Sequence, residues 1–160
     1  MAEGEAKKVK RNVLIPVDPS HHAEEGFTWF MDNVYHEGDH VVVLHVAELH
    51  PPALPHALAT EEWKHEVEKH EQKVEELKKK YAQKCKDYKL DAKVKIVGVS
   101  TSVGAKVCEE AKIEEATLVV IGSRGMGLIR RTILGSVSDY VIHHAHCPVV
   151  VIPKTEAKKE

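Results

Sequence analysis

Two glycine segments in the last quarter of the chain have a spacing that suits phosphate chemistry. Residues 122–125 (GSRG) follow an apolar run, and residues 135–136 (GS) stand nine residues later, before a predicted helix. Glycine lacks a Cβ, so backbone N–H groups can approach an anion closely there. A helix N-terminus adds unpaired amides and a favourable dipole. The spacing predicts a site for successive phosphate groups, although a tight turn before an ordinary helix would give the same pattern.

The familiar catalytic motifs are not found around these glycines. No GK[ST] follows them as in a P-loop, and their spacing is not that of GxGxxG. A GxSxG elbow, an HExxH helix and paired acids with an evident substrate frame are also not found. The sequence therefore predicts a site that holds phosphates and has no clear catalytic machinery.

Alternating strands and helices are expected to position these glycines. Apolar runs predict strands at residues 12–17, 40–47, 92–99, 117–121 and 148–152, and the intervening patterns predict helices at residues 20–35, 60–88, 101–113 and 136–145. This order indicates right-handed crossovers and a parallel sheet with helices on both faces. Ligands bind such sheets beyond the carboxyl ends of the strands, where the strand order reverses. The expected site therefore lies near Asp18 and Gly122.

Several segments carry further predictions about caps and exposure. The predicted N-caps are Ser20, either Thr101 or Ser102, and Ser136. The long helix has one apolar stripe, formed by Trp63, Val67, Val74, Leu77, Tyr81 and Tyr88, and its matched Lys and Glu residues indicate a solvated face, not a nucleic-acid site. Residues 92–99 alternate, which predicts an edge strand with Lys93 and Lys95 on an exposed face. Three prolines predict a loop at residues 48–59.

Composition and charge fit a single globular domain. The 160 residues are 42% hydrophobic and 30% charged, and a net charge of −2 gives no general attraction to nucleic acid or to an acidic membrane. Neither a membrane span nor a signal peptide is expected. Three separated cysteines predict free thiols, hence a cytoplasmic or nuclear-soluble protein. The domain is expected at residues 12–153, between flexible charged ends at residues 1–11 and 154–160.

Histidines are numerous, but their spacing does not favour a metal site. His36 and His40 are four residues apart, as two ligands on one helix would be, but Gly38-Asp39 between them is predicted to end the helix. His143, His144 and His146 form a compact cluster without the carboxylates or CxxC spacing of a zinc site, which needs about four ligands. No metal site is therefore predicted, and a pH-sensing role stays open.

The glycine pattern and its flanking strands resemble the ATP-binding signature of the universal stress protein family. The pattern G-x2-G-x9-G-S lies between TLVVI and PVVVI, and the likeness extends from NVLIPVDPS at the first strand through LHV in the second to the last strand. The resemblance implies a Rossmann-like α/β domain with strand order 3-2-1-4-5 and two helices on each face. It also implies ATP as ligand, with or without Mg²⁺, and a homodimer, for which the edge strand beginning at Pro148 and ending at Ile152 is the expected contact.

The resemblance also assigns roles to particular residues. By position, the adenosine pocket corresponds to Pro16, Val17 and Asp18, the adenine contact to Val46, and the ribose and phosphate positions to Ile121, Gly122, Arg124, Gly125, Gly135, Ser136, Val137 and Ser138. Asp18 either accepts a ribose hydroxyl or holds Mg²⁺ through water. Arg124 either neutralises phosphate charge or is merely solvated. Ser136 either caps the last helix or faces a phosphate.

The predicted function is a nucleotide-dependent regulatory or stress-response module. Two alternatives stay open: a dimeric interaction protein with a vestigial nucleotide site, and a slow ATPase. Hydrolysis is expected to be slow because no residue is evidently placed to orient the attacking water. One departure from the family pattern is the pair His21-His22, which either narrows the pocket or adds pH-sensitive contacts.

Overall fold

The strands form one parallel sheet in the order that the sequence predicts. The computed structural model describes residues 10–99, 101–123 and 135–153. Its strands are β1 (Asn12–Pro16), β2 (His40–Ala47), β3 (Asp91–Gly98), β4 (Leu118–Gly122) and β5 (Val149–Ile152), and its helices are α1 (His21–Asn33), α2 (Glu61–Asp87), α3 (Val103–Ile113) and α4 (Ser136–His144). The order is β3-β2-β1-β4-β5, and every neighbouring pair is parallel. The predicted fold is confirmed.

Two helices cover each face of the sheet. On one face, Phe27 of α1 and Tyr81 of α2 belong to the same buried cluster as alternate residues of β1. On the other face, Val107 of α3 and Val141 of α4 pack around Leu14 of β1. Right-handed crossovers on the two sides of β1 produce this division. Strands covered on both faces explain the unbroken apolar runs of β1, β2 and β4.

Side-chain caps fix the N-termini of the first three helices. The cap oxygens of Ser20, Thr60 and Ser102 accept hydrogen bonds from amides three residues on, at 3.2, 3.2 and 3.1 Å. Ser20 is the predicted cap of α1, and Ser102 is the one of the two predicted candidates that caps α3. Each such bond contributes about 1 kcal/mol to stability.

The face of β3 predicted to be exposed is largely occupied by ion pairs. Lys93 Nζ lies 2.6 Å and Lys95 Nζ 2.9 Å from carboxylate oxygens of Glu114, and Lys95 also pairs with the buried Glu110. β3 is an edge strand, as predicted, because β2 is its neighbour on one side and it ends the sheet on the other. The prediction of an exposed face is wrong at Lys95, since the carboxylates of Glu110 in α3 and of Glu114, just after α3, neutralise it there.

Arg11, which the sequence analysis assigns to a flexible end, is bound at the start of β1. Its guanidinium donates to both carboxylate oxygens of the buried Asp39, and Nε lies 2.8 Å from Oδ1. It also donates from Nη2 to the Val34 carbonyl oxygen at 2.9 Å. The His36 amide donates to the same carboxylate at 2.9 Å. Burial raises the pKa of Asp39, but the hydrogen bonds from Arg11 and His36 outweigh it and hold the pKa below its usual value. The pair therefore ties β1 to the turn before β2.

An ion-pair cluster joins α1 to α2. Glu24 accepts a hydrogen bond from Lys80 Nζ at 2.6 Å, and Lys84 Nζ lies 2.9 Å from its other oxygen. These contacts lower the pKa of Glu24 to about 2. Their contribution to stability is therefore present above the ordinary Glu pKa and is lost as the pH falls toward 2. Phe27 meets Tyr81 edge-on beside this cluster, with ring centroids 5.7 Å apart.

The segment predicted as a loop contains one short helical turn. Pro55–Ala59 forms a 3₁₀ helix within residues 48–59. Pro55 is tolerated at its start because a proline there gives up no intrahelical hydrogen bond. The prolines thus exclude a regular α-helix, as predicted, but permit a single 3₁₀ turn.

Neither a disulfide nor a membrane-spanning helix occurs in the described residues. Cys85, Cys108 and Cys147 are free thiols, as predicted. Burial raises the pKa of each of the three thiols. They are therefore protonated and weakly nucleophilic at neutral pH. No helix in the described ranges is both long enough and apolar enough to cross a membrane.

Gly104 allows α3 and α4 to touch. A Cβ at this position would lie 2.8 Å from Cβ and 2.9 Å from Cγ of Tyr140. Those atoms lie next to the backbone of α4 and cannot swing away, so a larger residue would push the two helices apart. The contact therefore sets the position of α4 relative to α3.

We expect Gly104→Ala to destabilise the protein by about 1–3 kcal/mol, because overpacking outweighs a gain in helix propensity of about 1 kcal/mol. Gly26→Ala is the matched control, since Gly26 is also buried in a helix but a Cβ there would meet nothing closer than 3.7 Å. That variant should be at least as stable as the unaltered protein. Urea unfolding measures both free energies, and equal values for the two variants would contradict the close contact.

Candidate functional site

A cleft of about 330 Å³ opens at the carboxyl ends of β1, β2 and β4. The first turns of α1, α3 and α4 and the middle of α2 complete its walls. Ten of the twelve predicted site residues line it: Pro16, Val17, Asp18, Val46, Ile121, Gly122, Gly135, Ser136, Val137 and Ser138. The other two, Arg124 and Gly125, lie outside the described residues. The structure brings the ten together, while the role of each stays a prediction.

Asp18 is held at the end of β1 by the turn that starts α1. Its Oδ1 accepts a hydrogen bond from the Ser20 amide at 2.8 Å, and Ser20 Oγ accepts one from the Ala23 amide at 3.2 Å. In the same region, His45 Nδ1 lies 2.9 Å from the Val17 carbonyl oxygen and links β2 to β1. The turn therefore fixes the carboxylate in the wall of the cleft.

Two glycines allow α1 to pack directly against the end of β4. A Cβ on Gly26 would lie 3.7 Å from Gly122 Cα, and a Cβ on Gly122 would lie 3.4 Å from the His22 carbonyl oxygen. Just beyond β4, the Ser123 amide donates a hydrogen bond to the Ile152 carbonyl oxygen at 2.8 Å. This bond anchors the end of β4 to β5. The first turn of α1 and the glycine end of β4 therefore form adjoining walls of the cleft.

Unlike α1, α2 and α3, α4 begins without a side-chain cap from any residue that the structure describes. Its N-cap is Gly135, whose extended backbone brings no side-chain acceptor for the first amides. Ser136 is the first helical residue, so the alternative in which Ser136 caps α4 is wrong. Ser138 Oγ donates to the Gly135 carbonyl at 3.0 Å and does not act as a cap either. Within the described residues, no side chain therefore accepts from the first amides of α4, and amides in this state favour an anion.

α2 supplies a wall that sequence reasoning missed. His70, Lys73 and Val74 line the cleft, three and four residues apart as on one side of a helix. Glu48, just beyond β2, lines it as well. A signal for α2 existed in the sequence, because the apolar stripe skips seven residues from Val67 to Val74 and His70 occupies the gap. A polar residue within such a stripe indicates that this part of the helix faces something other than the core.

Tyr81 of α2 has a buried hydroxyl that stays uncharged. Burial, reinforced by the carboxylates of Glu24 and Asp18, raises the pKa of Tyr81. Its hydroxyl is buried and has no hydrogen-bond partner among the described residues. The phenol therefore stays neutral at physiological pH and adds no negative charge.

The histidines of the HHAH cluster have separate partners. His143 Nε2 lies 3.6 Å from Asp139, and the ring of His144 stacks on Tyr140 with centroids 4.0 Å apart. His146 Nε2 lies 3.0 Å from a backbone carbonyl oxygen. In the ranges that the structure describes, no group of three or more His, Cys, Asp or Glu residues could hold a metal ion.

A family model matches nearly all of the described chain. The universal stress protein family matches residues 10–153. The chain belongs to the universal stress protein family. It is 34% identical to universal stress protein Slr1101 of Synechocystis sp. over 64% of this chain and 93% of that protein. It is 31% identical to universal stress protein PHOS34 of Arabidopsis thaliana over 89% of this chain but 62% of that longer protein.

Solved structures of universal stress proteins share the fold. UspA from Lactobacillus plantarum has a TM-score of 0.67 at 26% identity, over 89% of this chain and 97% of that one. A family member from Arabidopsis thaliana with AMP bound has a TM-score of 0.67 at 20% identity, over 91% and 92%. One from Archaeoglobus fulgidus in complex with dAMP has a TM-score of 0.60 at 20% identity, over 89% and 96%.

We expect Ser20→Ala to destabilise this universal stress protein by about 1 kcal/mol, because the first amides of α1 lose their side-chain acceptor. Thr28→Ala is the matched control, since Thr28 Oγ1 only donates to a carbonyl of its own helix at 3.1 Å and alanine is the better helix former. That variant should lose no stability. Chemical unfolding compares the two, and a loss at Ser20 no larger than at Thr28 would refute the role of the cap.

Proposed function

We propose that this universal stress protein binds ATP in the cleft and acts as a nucleotide-dependent regulatory module. The observation that carries the proposal is the N-terminus of α4, where Gly135 and Ser136 line the cleft and no side chain of the described residues caps the helix. Unpaired amides and the helix dipole favour phosphate at such a position. Gly122, across the cleft, adds a backbone that a phosphate can approach closely.

The remaining walls suit the rest of an adenine nucleotide. Asp18 would accept a ribose hydroxyl or hold Mg²⁺ through water, and the backbone at Val46 would meet the adenine edge. Val103 and Val107 give an apolar wall for the base. The volume of about 330 Å³ lies within the usual range for small-molecule sites. The AMP and dAMP bound to two structural neighbours support an adenine nucleotide.

Regulation through occupancy is the mechanism that we propose. A ligand that binds the folded state alone stabilises it by about 2.7 kcal/mol at a hundredfold excess over its Kd. Bound phosphate would order the first turn of α4, and the close contact at Gly104 would transmit any shift of α4 to α3. A slow ATPase is the alternative, and it would share the same phosphate site.

We expect Gly135→Asp to weaken ATP binding by at least about a hundredfold, because its carboxylate would repel the phosphates. Gly135→Asn is the matched control: both residues are good N-caps of nearly equal size, so the pair separates charge from bulk. The Asn side chain competes for the same amides without adding charge, so this variant should bind more weakly than the unaltered protein but at least about tenfold more tightly than the Asp variant. Isothermal titration with ATP, ADP and AMP measures the three affinities.

Equal ATP affinity in the Asp and Asn variants would contradict the phosphate site at α4. Failure of every adenine nucleotide to bind the unaltered protein would refute the proposal and favour the interaction protein with a vestigial site. Phosphate release by the unaltered protein above the level of Gly135→Asp would favour the slow ATPase.

We also propose that two copies associate through β5. β5 ends the sheet, and its valines are half-buried. A short apolar edge strand is suited to pairing with a second copy. Sedimentation velocity should give twice the chain mass of 17.9 kDa. The mass of a single chain at every concentration would exclude the dimer.

A cytoplasmic location is part of the proposal. It is supported by the three free thiols, which fit a reducing compartment. Fractionation of cells that express the protein would check the location.

A further inference from the structure

We propose that His22 makes the cleft selective for nucleotides with more than one phosphate, by donating a hydrogen bond from Nδ1 to a phosphate beyond the first. The inference rests on the proposed function, because it assumes that phosphates lie between Gly122 and Gly135. It concerns a residue that the family pattern does not account for, since the pair His21-His22 is where this sequence departs from that pattern.

His22 lies where the first turn of α1 meets the end of β4. It lines the cleft, and its carbonyl oxygen would be 3.4 Å from a Cβ on Gly122. It also lines a second cavity of about 390 Å³, on the outer side of α1 beside Ser123. His22 therefore borders both cavities, at the glycine end of β4.

The Nδ1 atom of His22 is buried without a hydrogen-bond partner among the described residues. Glu25 Oε2 is 3.8 Å away, which is too far for a hydrogen bond, and Glu25 Oε1 lies 3.1 Å from His21 Nε2 instead. A buried polar atom left in this state destabilises the protein, because it has lost its hydrogen bond to water and gained none in exchange. A ligand that brings an acceptor to Nδ1 would recover that loss.

A phosphate oxygen is the acceptor that fits this place. The amides of α4 and the backbone at Gly122 already favour an anion on the side of the cleft that His22 borders. Rotation of the imidazole about its Cβ–Cγ bond, a soft torsion, would bring Nδ1 to such an acceptor. With the first phosphate at the amides of α4, the next one would lie toward Gly122 and His22, on the other border of the cleft. His22 would therefore contribute to ATP and ADP binding and not to AMP binding.

Titration calorimetry with ATP and AMP on the full chain tests the inference. His22→Gln should weaken ATP binding by about tenfold and leave AMP binding unchanged, because its amide nitrogen stands near the place of Nε2. His22→Asn, whose amide nitrogen can stand near the place of Nδ1, should keep most of the ATP preference. His21→Gln is the matched control, since His21 is 78% exposed and lies outside the walls of the cleft. It should bind both nucleotides normally.

Each outcome decides one claim. An unchanged ATP-to-AMP affinity ratio in His22→Gln would overturn the inference and leave the proposed function standing. An equal loss for both nucleotides would also overturn it, because that result indicates a structural role of the side chain. If the unaltered protein binds neither nucleotide, the proposed function fails and this inference fails with it. Thermal unfolding without nucleotide confirms that each variant is folded before its affinities are compared.

Discussion

The cleft exists because β1 is paired on both edges and covered on both faces. Val13 and Leu14 of β1 are fully buried, and the strand pairs in parallel with β2 and β4. After β1 the chain crosses one face of the sheet through α1, and it reaches β4 from the other face through α3. The connections that follow β1 and β4 therefore diverge beyond the carboxyl ends of these two strands. Asp18 comes from the first connection, and Gly135 lies on the far side of the divergence. Every wall of the cleft therefore depends on the central position of β1.

The helices around this cleft start in two different ways. Ser20 and Ser102 each satisfy one of the first amides of α1 and α3, whereas those of α4, behind Gly135, have no side-chain acceptor in the part of the chain that the structure describes. The capped start of α1 gives a rigid turn that holds Asp18, and the uncapped start of α4 gives donors for an anion. The contact of Gly104 with Tyr140 fixes where those donors lie. This division of roles suits a site that holds a nucleotide, and no catalytic motif accompanies it.

The sequence predicts those features of the fold and of the cleft that leave a pattern among neighbouring residues. Strand order and ten of the cleft residues follow from alternating apolar runs, turn residues and the family pattern. The wall from α2 left a single local signal. The apolar stripe has two seven-residue gaps, at His70, which faces the cleft, and at Cys85, which faces the core. Periodicity does not distinguish the two gaps, and the polarity of His70 shows that its side of the helix leaves the core without showing what it faces. Arg11 was assigned to the wrong environment because its partner, Asp39, lies 28 residues away and no local pattern reveals it.

The central claim is that a nucleotide occupies the cleft between β1 and β4. Backbone amide NMR of the isotope-labelled full chain, titrated with ATP, tests it most directly. We expect the largest shift changes at residues 17–18, 46, 121–122 and 135–138, with little change along the far edge strand β3. No change at saturating ATP, or changes centred on the outer face of α1 around Trp29, would contradict the claim.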